Sequence, residues 1–259
     1  MPELIEVEIY RKAAANSVGR RVSAVSVFSK NYLRGKTVVP DLQSALCGAQ
    51  LDGVQRIGKL LLLKIGTAVV GFRFGMTGRL IVDGEVSISG LLYTTAEVQD
   101  RHVRFALEFD DGGSLALLDP RSFGNVELNP DASLLGPDAI GVSEAYLRKV
   151  LQTSRATLKS MLLDQQKISG IGNLLCDEIL WRSGLAPTRI GSSLELKEIE
   201  RVTCAINTTI EELTERGGSH MGDLQSQRHP GGVCPSDGSE LLRTTVAGRT
   251  SWWCPEHQH

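Results

Sequence analysis

The sequence predicts an α+β fold: an N-terminal helix plus a β-sandwich domain, then a helical domain, then a small β-hairpin module. Three observations lead to this fold class. An amphipathic helical pattern opens the chain, short β-rich runs follow it to about residue 127, and helical patterns come next, before two cysteine-containing pairs. With 259 residues, 41% of them apolar, the chain can form one large domain or two modest ones.

The N-terminal region begins with a predicted helix over residues 3–17, where apolar residues recur at helical spacing. The β-rich region then predicts strands at Val22–Phe28, Lys59–Ile65, Ala68–Phe74, Arg79–Val82, Val103–Phe109 and Ser114–Leu118. The turn sequence 110–113 joins the last two as a hairpin, and the weakly patterned stretch 83–100 is predicted to be a loop. Short strands after one helix are typical of a β-sandwich or a flattened barrel, which completes a first domain over residues 1–128.

The second half of the chain is predicted to contain a linker over residues 129–141, a helical domain over 142–217 and a terminal module over 218–259. The helical patterns are Ser143–Leu151, Ala156–Leu163, Asn173–Trp181 and Leu194–Arg216. Gly217 and Gly218 end the last of them.

The charge balance excludes a polybasic protein that binds its partner by bulk charge, since 28 Lys and Arg face 30 Asp and Glu, for a net charge of −2. That average hides an uneven distribution, because residues 1–60 hold nine Lys/Arg against five Asp/Glu. Five cysteines without a secretory signal, and no apolar run of membrane-spanning length, predict a reduced cytoplasmic protein that does not associate with membranes.

Two ligand-like pairs, Cys234-x-x-Asp237 and Cys254-x-x-His257, lie 16 residues apart near the end of the chain. This is the spacing of a zinc-ribbon hairpin, and thiolate, carboxylate and imidazole groups all bind zinc. We therefore predict one structural Zn²⁺ on Cys234, Asp237, Cys254 and His257. His229 and His259 are possible replacement ligands, and the alternative to a zinc site is a metal-free hairpin that buries its two cysteines.

A glycine-rich turn precedes the third predicted helix of the second half, in the sequence Gly170-Ile-Gly172-Asn173. The free N–H groups of a helix start, together with the Asn173 side chain, suit a phosphate oxygen. The alternative is that Asn173 and its glycine only begin the helix and allow close packing.

Pro2 and Glu3 follow directly after the initiator methionine. Removal of Met1 leaves a secondary amine on Pro2 that is less basic than a lysine and is a nucleophile near neutral pH. Glu3 can then exchange protons beside it. The alternative is that proline and acidic residues only favour the start of a helix.

Taken in order, the Pro2-Glu3 start, the Gly-Ile-Gly-Asn173 turn and the terminal ligand pairs resemble one family, from residue 1 to about 257. The chain resembles the formamidopyrimidine-DNA glycosylase and endonuclease VIII family of base-excision repair enzymes. The resemblance implies a helix-two-turn-helix domain over 142–217 and a zinc-finger-type hairpin over 218–259. It also implies a monomer that binds double-stranded DNA containing a damaged base or abasic site, at the nucleoid in a bacterium.

The resemblance implies roles for further residues. Lys59, in the turn Arg56-Ile-Gly-Lys59, would contact a phosphate beside the lesion and support elimination. Arg249 would bind the phosphates that flank the lesion. Lys159 would lie near the DNA backbone. The residues that would fill the space left by an extruded base are Met76, Arg121 and Phe123.

The activity implied is that of a bifunctional DNA glycosylase and abasic-site lyase acting on damaged, in particular oxidised, bases. The Pro2 amine would form a Schiff base at C1′, Glu3 would protonate the leaving group, and Glu6 would position the deoxyribose or a water. β-Elimination and δ-elimination would then cut the strand. The alternatives are a non-catalytic damaged-DNA-binding protein of the same fold, and a zinc-ribbon protein unrelated to DNA.

Overall fold

The structure, a computed structural model, consists of two compact units, Met1–Ala132 and Ser133–His259. The structure describes residues 2–88, 91 and 99–259, so part of the predicted loop over 83–100 lies outside the described residues. The boundary falls inside the segment predicted as a linker. Residues 136–139 of that segment hydrogen bond to residues 165–169, which makes them part of the C-terminal unit.

The described part of the N-terminal unit contains two antiparallel sheets, as the alternating patterns predict. In chain order the strands are β1 (Val22–Val27), β2 (Leu51–Ile57), β3 (Leu60–Ile65), β4 (Ala68–Arg73), β5 (Arg79–Val82), β6 (Glu85–Val86), β7 (Val103–Phe109), β8 (Ser114–Leu118) and β9 (Asn125–Leu128). The five-stranded sheet has the order β1-β7-β8-β5-β6, and the four-stranded sheet has the order β2-β3-β4-β9.

The apolar core of this unit joins the two sheets. Phe72 of β4 and Phe105 of β7 are fully buried, and their ring centroids are 5.4 Å apart. The first helix, α1 (Leu4–Ala15), packs against β2, β3 and β5. The predicted sandwich is confirmed. A second helix, α2 (Val39–Leu46), lies within the region that the sequence predicts as β-rich. It has a proline as its second residue and buries Leu42 and Leu46 one turn apart.

The C-terminal unit begins with four helices close to the predicted ones: α3 (Glu144–Gln152), α4 (Leu158–Leu163), α5 (Asn173–Ser183) and α6 (Leu196–Glu215). Helix α5 ends at Gly184, whose φ of +67° is the left-handed conformation that glycine favours at a helix end. Helix α6 is amphipathic and packs against α3 and α5. Among the described residues, no helix combines the length and the apolar content that crossing a bilayer requires.

The terminal hairpin consists of β10 (Leu242–Val246) and β11 (Arg249–Trp253). Its small core contains Leu224, Cys234, Leu241, Trp252 and Cys254. Trp181 of α5 packs against that core, and α5 contacts β11. The predicted helical domain and hairpin module therefore belong to one compact unit.

Candidate functional site

The predicted catalytic N-terminus lies at the start of α1. Pro2 is buried, and Glu3 and Glu6 are 0% and 1% exposed. A carboxylate oxygen of Glu6 accepts a hydrogen bond of 2.7 Å from the Glu3 backbone N–H, as part of a capping box. Glu6 therefore fixes the backbone that carries Pro2 and Glu3.

The turn that carries Lys59 is tied to α1 by one arginine. Arg56 donates from Nε to Glu8 of α1 at 3.1 Å and from Nη1 to the Gly58 carbonyl at 2.8 Å. Lys59 follows Gly58 in the two-residue turn between β2 and β3 and is half-buried. The Glu8–Arg56 contact therefore sets where this turn lies relative to the start of α1.

The ionisation of Glu8 matches this role. Burial acts to raise the pKa of Glu8, but hydrogen bonds from Arg11 and Arg56 outweigh it and leave the pKa below its ordinary value. Glu8 is thus a carboxylate at neutral pH, with both arginines as partners.

The loop 74–78, which carries Met76, is also held by α1. The Tyr10 ring lies 4.6 Å from the Phe74 ring, and the Tyr10 hydroxyl donates to the Gly78 carbonyl at 3.2 Å. Burial raises the pKa of Tyr10 well above its ordinary value, so the hydroxyl keeps its proton. Met76 itself is half-buried.

Asp119 joins this loop to the loop 119–124. Its fully buried carboxylate accepts hydrogen bonds from the Thr77 hydroxyl at 2.5 Å, the Tyr32 hydroxyl at 3.2 Å and the Gly124 N–H at 2.8 Å. The two loops also touch through their backbones, since a Cβ at Gly75 would lie 2.4 Å from the Phe123 carbonyl carbon.

Arg121 and Phe123 lie on the exposed part of the loop 119–124. The Arg121 guanidinium lies 4.9 Å from the centroid of the Phe123 ring, and Phe123 is 55% exposed. Ser122 between them has a φ of +54°, which non-glycine residues rarely adopt. The N-terminal unit therefore presents a stacked cation and ring on the loop 119–124, which Asp119 holds at Gly124 and which touches the loop of Met76 at Gly75.

The start of α5 and the hairpin are connected in the C-terminal unit. The Asn173 side-chain amide donates to the Thr250 carbonyl at 3.0 Å. Thr250 follows Arg249, which is exposed at the start of β11. Asn173 thus anchors the strand of Arg249, in addition to beginning the helix.

Lys159 does not lie where a DNA contact requires. Its side chain is 0% exposed, and its ammonium group donates to Asp177 at 2.6 Å, to Ser251 at 2.7 Å and to the Thr250 carbonyl at 3.0 Å. Because the side chain is fully buried and its ammonium group is bonded to protein groups, the structure does not support the predicted direct contact of Lys159 with the DNA backbone.

Three of the four predicted zinc ligands come together. The sulfur atoms of Cys234 and Cys254 and a carboxylate oxygen of Asp237 all lie within 4.8 Å of one another. His257 lies outside this group as the structure describes it, because its Nε2 is 2.9 Å from the Trp181 carbonyl oxygen. The structure therefore brings together a Cys-Asp-Cys group, and His257 as the fourth ligand stays a prediction.

The chemistry of this group suits zinc. Two sulfurs and one carboxylate oxygen are ligands that Zn²⁺ accepts, and the Trp181 indole N–H donates to the Cys234 sulfur at 3.4 Å. Hydrogen bonds from Ser239 lower the pKa of Asp237, so it is ionised. Burial raises the pKa of the Cys254 thiol to about 11, so metal binding must displace its proton.

Several residues of the site carry no signal that singles them out in the sequence. In the sequence, Tyr10 and Glu8 fit the ordinary pattern of an amphipathic helix, and Asp119 fits that of a turn before a proline. Asp177 is the exception, because an acid in the apolar run Leu174-Leu-Cys-Asp177 must find a partner when buried.

The sequence profile of the formamidopyrimidine-DNA glycosylase N-terminal domain matches residues 1–126, and that of the H2TH domain of these enzymes matches residues 135–224. The formamidopyrimidine-DNA glycosylase of Bacillus cereus is 31% identical over 280 residues, which covers 98% of each chain. The Arabidopsis thaliana protein of the same name is 31% identical, over 100% of this chain and 71% of its own.

The same similarity extends to solved structures. A complex of Lactococcus lactis Fpg with DNA containing N7-benzyl-Fapy-dG has a TM-score of 0.84 at 25% identity and covers 100% of both chains. A complex with Fapy-dG DNA gives the same TM-score and identity. Two profiles in the expected order, and relatives similar along the whole chain, show that this protein belongs to the formamidopyrimidine-DNA glycosylase family.

Proposed function

We propose that this protein is a bifunctional DNA glycosylase and abasic-site lyase that removes oxidised bases during base-excision repair. The observation that carries the proposal is the arrangement around α1. This helix starts at Pro2 and Glu3, and through Glu8 and Tyr10 it holds the turn of Lys59 and the loop of Met76. The proposed nucleophile, proton donor, cation and apolar wedge are thus all held in place by α1.

Base removal begins with extrusion of the damaged nucleotide, which costs a few kcal/mol in lost stacking and pairing. Met76 and Phe123 would occupy the vacated space in the duplex. Arg121, stacked on Phe123, would hydrogen bond to the orphaned partner base and offset part of this cost. The Asp119 contacts would keep both loops in place during extrusion.

In the first chemical step, the Pro2 amine would attack C1′ of the extruded nucleotide. The new N–C1′ bond replaces the glycosidic bond, and the base leaves with a proton supplied through Glu3. The amine loses its single proton, the C1′–O4′ bond of the sugar then breaks as the nitrogen lone pair forms the iminium (the Schiff base), and O4′ takes up a proton to become a hydroxyl. Glu6 would hold the Glu3 backbone throughout and position the deoxyribose or a water.

Strand cleavage would follow by two eliminations. Loss of a proton from C2′ of the iminium expels the 3′ phosphate, and a further proton loss expels the 5′ phosphate. Lys59 and Arg249 would stabilise the departing phosphates, and the N–H groups at the start of α5 with Asn173 would bind the backbone nearby. A DNA substrate would place the protein at the nucleoid of a bacterial cell.

A zinc ion would have a structural role here. Cys234, Asp237 and Cys254 would hold it, and the fourth ligand would be a water or His257 once its ring leaves the Trp181 carbonyl. We expect one zinc per chain by metal analysis of the purified protein and its loss in Cys254→Ser. Less than stoichiometric zinc in the natural protein would contradict the site.

Borohydride trapping on a duplex with one abasic site tests the reaction. The natural protein should give a covalent adduct, and a form whose N-terminus is blocked should give none. Glu3→Gln should still form the adduct with a preformed abasic site but lose excision of an intact damaged base. Tight binding to abasic-site DNA without any adduct would refute the lyase.

A strand-cleavage panel then identifies the substrate. The panel should include Fapy-dG, which the structures of the Lactococcus lactis protein contain, together with 8-oxoguanine, oxidised pyrimidines and an abasic site. Each lesion is placed opposite each of the four bases, and the ratio of kcat/KM values reports the preference. Cleavage of the abasic site alone would show a lyase without glycosylase activity.

A further inference from the structure

Asp177 lies at the centre of a buried charge cluster in the C-terminal unit. Its carboxylate is paired with the Lys159 ammonium group at 2.6 Å and with the Arg228 guanidinium. The side chains of Lys159, Asp177 and Arg228 are 0%, 1% and 10% exposed. We name these three residues the Asp177 cluster.

The cluster joins four segments of the chain. Lys159 belongs to α4, Asp177 to α5, and Arg228 to the segment before the hairpin. Strand β11 completes it, because the Ser251 hydroxyl donates to Asp177 at 3.1 Å and the Trp252 N–H donates at 3.4 Å. The helices and the strand of Arg249 thus share one carboxylate.

Stability alone does not account for this arrangement. Two cations face one carboxylate in an environment that excludes water, and apolar residues of similar size would pack helices at lower cost. Apolar packing leaves the exact position of a strand on a helix adjustable. An ion pair or a hydrogen bond instead holds one atom at a defined distance from another. The cluster therefore determines where β11 lies relative to α5.

The Thr250 carbonyl shows which part of β11 is fixed. It accepts hydrogen bonds from the Lys159 ammonium group and from the Asn173 amide, both at 3.0 Å. Thr250 adjoins the exposed Arg249, and Asn173 is the first residue of α5. Lys159 thus connects the backbone next to Arg249 with the start of the helix.

We propose that Lys159 and the Asp177 cluster are positioning residues that present Arg249 and the N-terminus of α5 as one phosphate-binding unit. The proposal deepens the proposed function, because it rests on Arg249 contacting DNA phosphate. Lys159 acts through the Thr250 carbonyl and contacts no DNA itself.

Lys159→Met is the informative variant. It removes the donor to Thr250 and Ser251 and leaves one buried ion pair, that of Asp177 with Arg228, so no buried charge loses its partner. Affinity for a duplex with a tetrahydrofuran abasic analogue is measured over a range of salt concentrations. We expect about tenfold weaker binding and a slope of log K against log salt that is smaller by about one phosphate contact.

A double-mutant cycle with Arg249→Ala decides how Lys159 acts. If Lys159 acts through Arg249, the double variant should bind with the same affinity and salt slope as Arg249→Ala alone. If instead the losses in binding free energy add, and the salt slope of the double variant is smaller by about two phosphate contacts, Lys159 contacts phosphate on its own. The positioning role is then overturned. Unchanged affinity in Lys159→Met also overturns it.

Two further variants separate positioning from folding and from lost charge. Lys197→Met removes an exposed lysine of α6 and should leave affinity and slope unchanged. Should Lys159→Met fail to fold, Ser251→Ala removes only the hydroxyl between Lys159 and Asp177, and we expect about two- to threefold weaker binding that is lost in the Arg249→Ala background. An additive loss in that background again overturns the proposal.

These results are distinguishable from failure of the proposed function. If the natural protein binds no abasic-site duplex, or if Arg249→Ala binds as well as the natural protein, the proposed role of Arg249 fails. If Arg249→Ala weakens binding but the Lys159 variants do not follow it, only the positioning role fails.

Discussion

The loop 74–78 of the N-terminal unit and the hairpin of the C-terminal unit are fixed by different means. In the N-terminal unit, the uncharged hydroxyls of Tyr10 and Thr77 tie the loop 74–78 to α1 and to Asp119. In the C-terminal unit, the Asp177 cluster ties the strand of Arg249 to α4 and α5. Hydroxyl groups are buried at little cost once bonded, whereas a buried charge is costly unless an opposite charge matches it.

The apolar surroundings explain this difference. The sandwich buries side chains of both sheets around Phe72 and Phe105, so its loops begin from a rigid frame. The hairpin has only a small apolar core of its own, which cannot fix a two-stranded element in place. We infer that the N-terminal loops tolerate the loss of one contact better than the hairpin does.

Replacing Asp177 should have the largest effect. Asp177→Asn leaves the Lys159 and Arg228 charges buried without a counter-charge, which costs about 3–5 kcal/mol in the free energy of unfolding. The three tryptophans of the chain all lie in the C-terminal unit, so their fluorescence during urea unfolding reports this unit alone. We expect a large decrease in the urea midpoint of that signal.

Asp223→Asn is the matched control. Asp223 also pairs with two arginines, Arg182 at 2.8 Å and Arg216 at 2.6 Å, but its side chain is 43% exposed. Exposed ion pairs contribute about 0–1 kcal/mol, so this variant should unfold nearly as the natural protein does. Equal losses in the two variants would contradict the distinction between buried and exposed charge.

Removing one contact of Asp119 should have an intermediate effect. Thr77→Val keeps the shape of the side chain and removes the hydroxyl that donates to the buried carboxylate at 2.5 Å. The expected loss is about 1.5–3 kcal/mol, because a hydrogen bond to a charged group disappears while two other donors remain. Far-UV circular dichroism during urea unfolding reports both units, and tryptophan fluorescence should show no change.

Thr67→Val is the control for this variant, since Thr67 is exposed in the turn between β3 and β4. It should change the free energy of unfolding by less than about 0.5 kcal/mol. A loss in Thr77→Val that is as large as in Asp177→Asn would show that the N-terminal loops depend on single contacts after all.

The sequence predicts the elements better than the contacts between them. Alternation and helical periodicity place most strands and helices within two residues, because these patterns follow directly from which face of an element is buried. Helix α2 escapes this reasoning, since its pair of buried leucines, Leu42 and Leu46, is too short a pattern in a β-rich region.

The candidate site shows the same limit. Pro2 and Glu3 are predicted from a motif and Lys59 from the family resemblance. The contacts that support them join residues that are distant in sequence, such as Arg56 with Glu8, Tyr10 with Gly78 and Thr77 with Asp119, and these residues meet only in the fold. Lys159 shows the converse. The family resemblance implies a DNA contact for this lysine, yet Asp177, eighteen positions later, pairs with it in the interior. Sequence spacing does not report burial.

Glu8→Gln should have the smallest effect, and its pH dependence is the informative part. The variant loses the charge that pairs with Arg11 and Arg56, but these pairs are partly exposed, so the expected loss at pH 7 is about 0.5–1 kcal/mol. The folded-state pKa of Glu8 lies below the ordinary value of 4.5. The stability it contributes is therefore complete above that value and is lost as the pH falls through the folded-state pKa.

The difference in free energy of unfolding between the natural protein and Glu8→Gln should thus be constant from pH 7 to about 5 and should close as the solution becomes more acidic. Circular dichroism in urea at each pH measures it, and Glu108→Gln, at an exposed position of β7, should show no such closing gap. A gap that persists at the lowest pH would mean that Glu8 acts through its shape. The turn of Lys59 would then be held by packing. Charge would contribute even less to positioning in the N-terminal unit, whereas the Asp177 cluster positions the hairpin by charge.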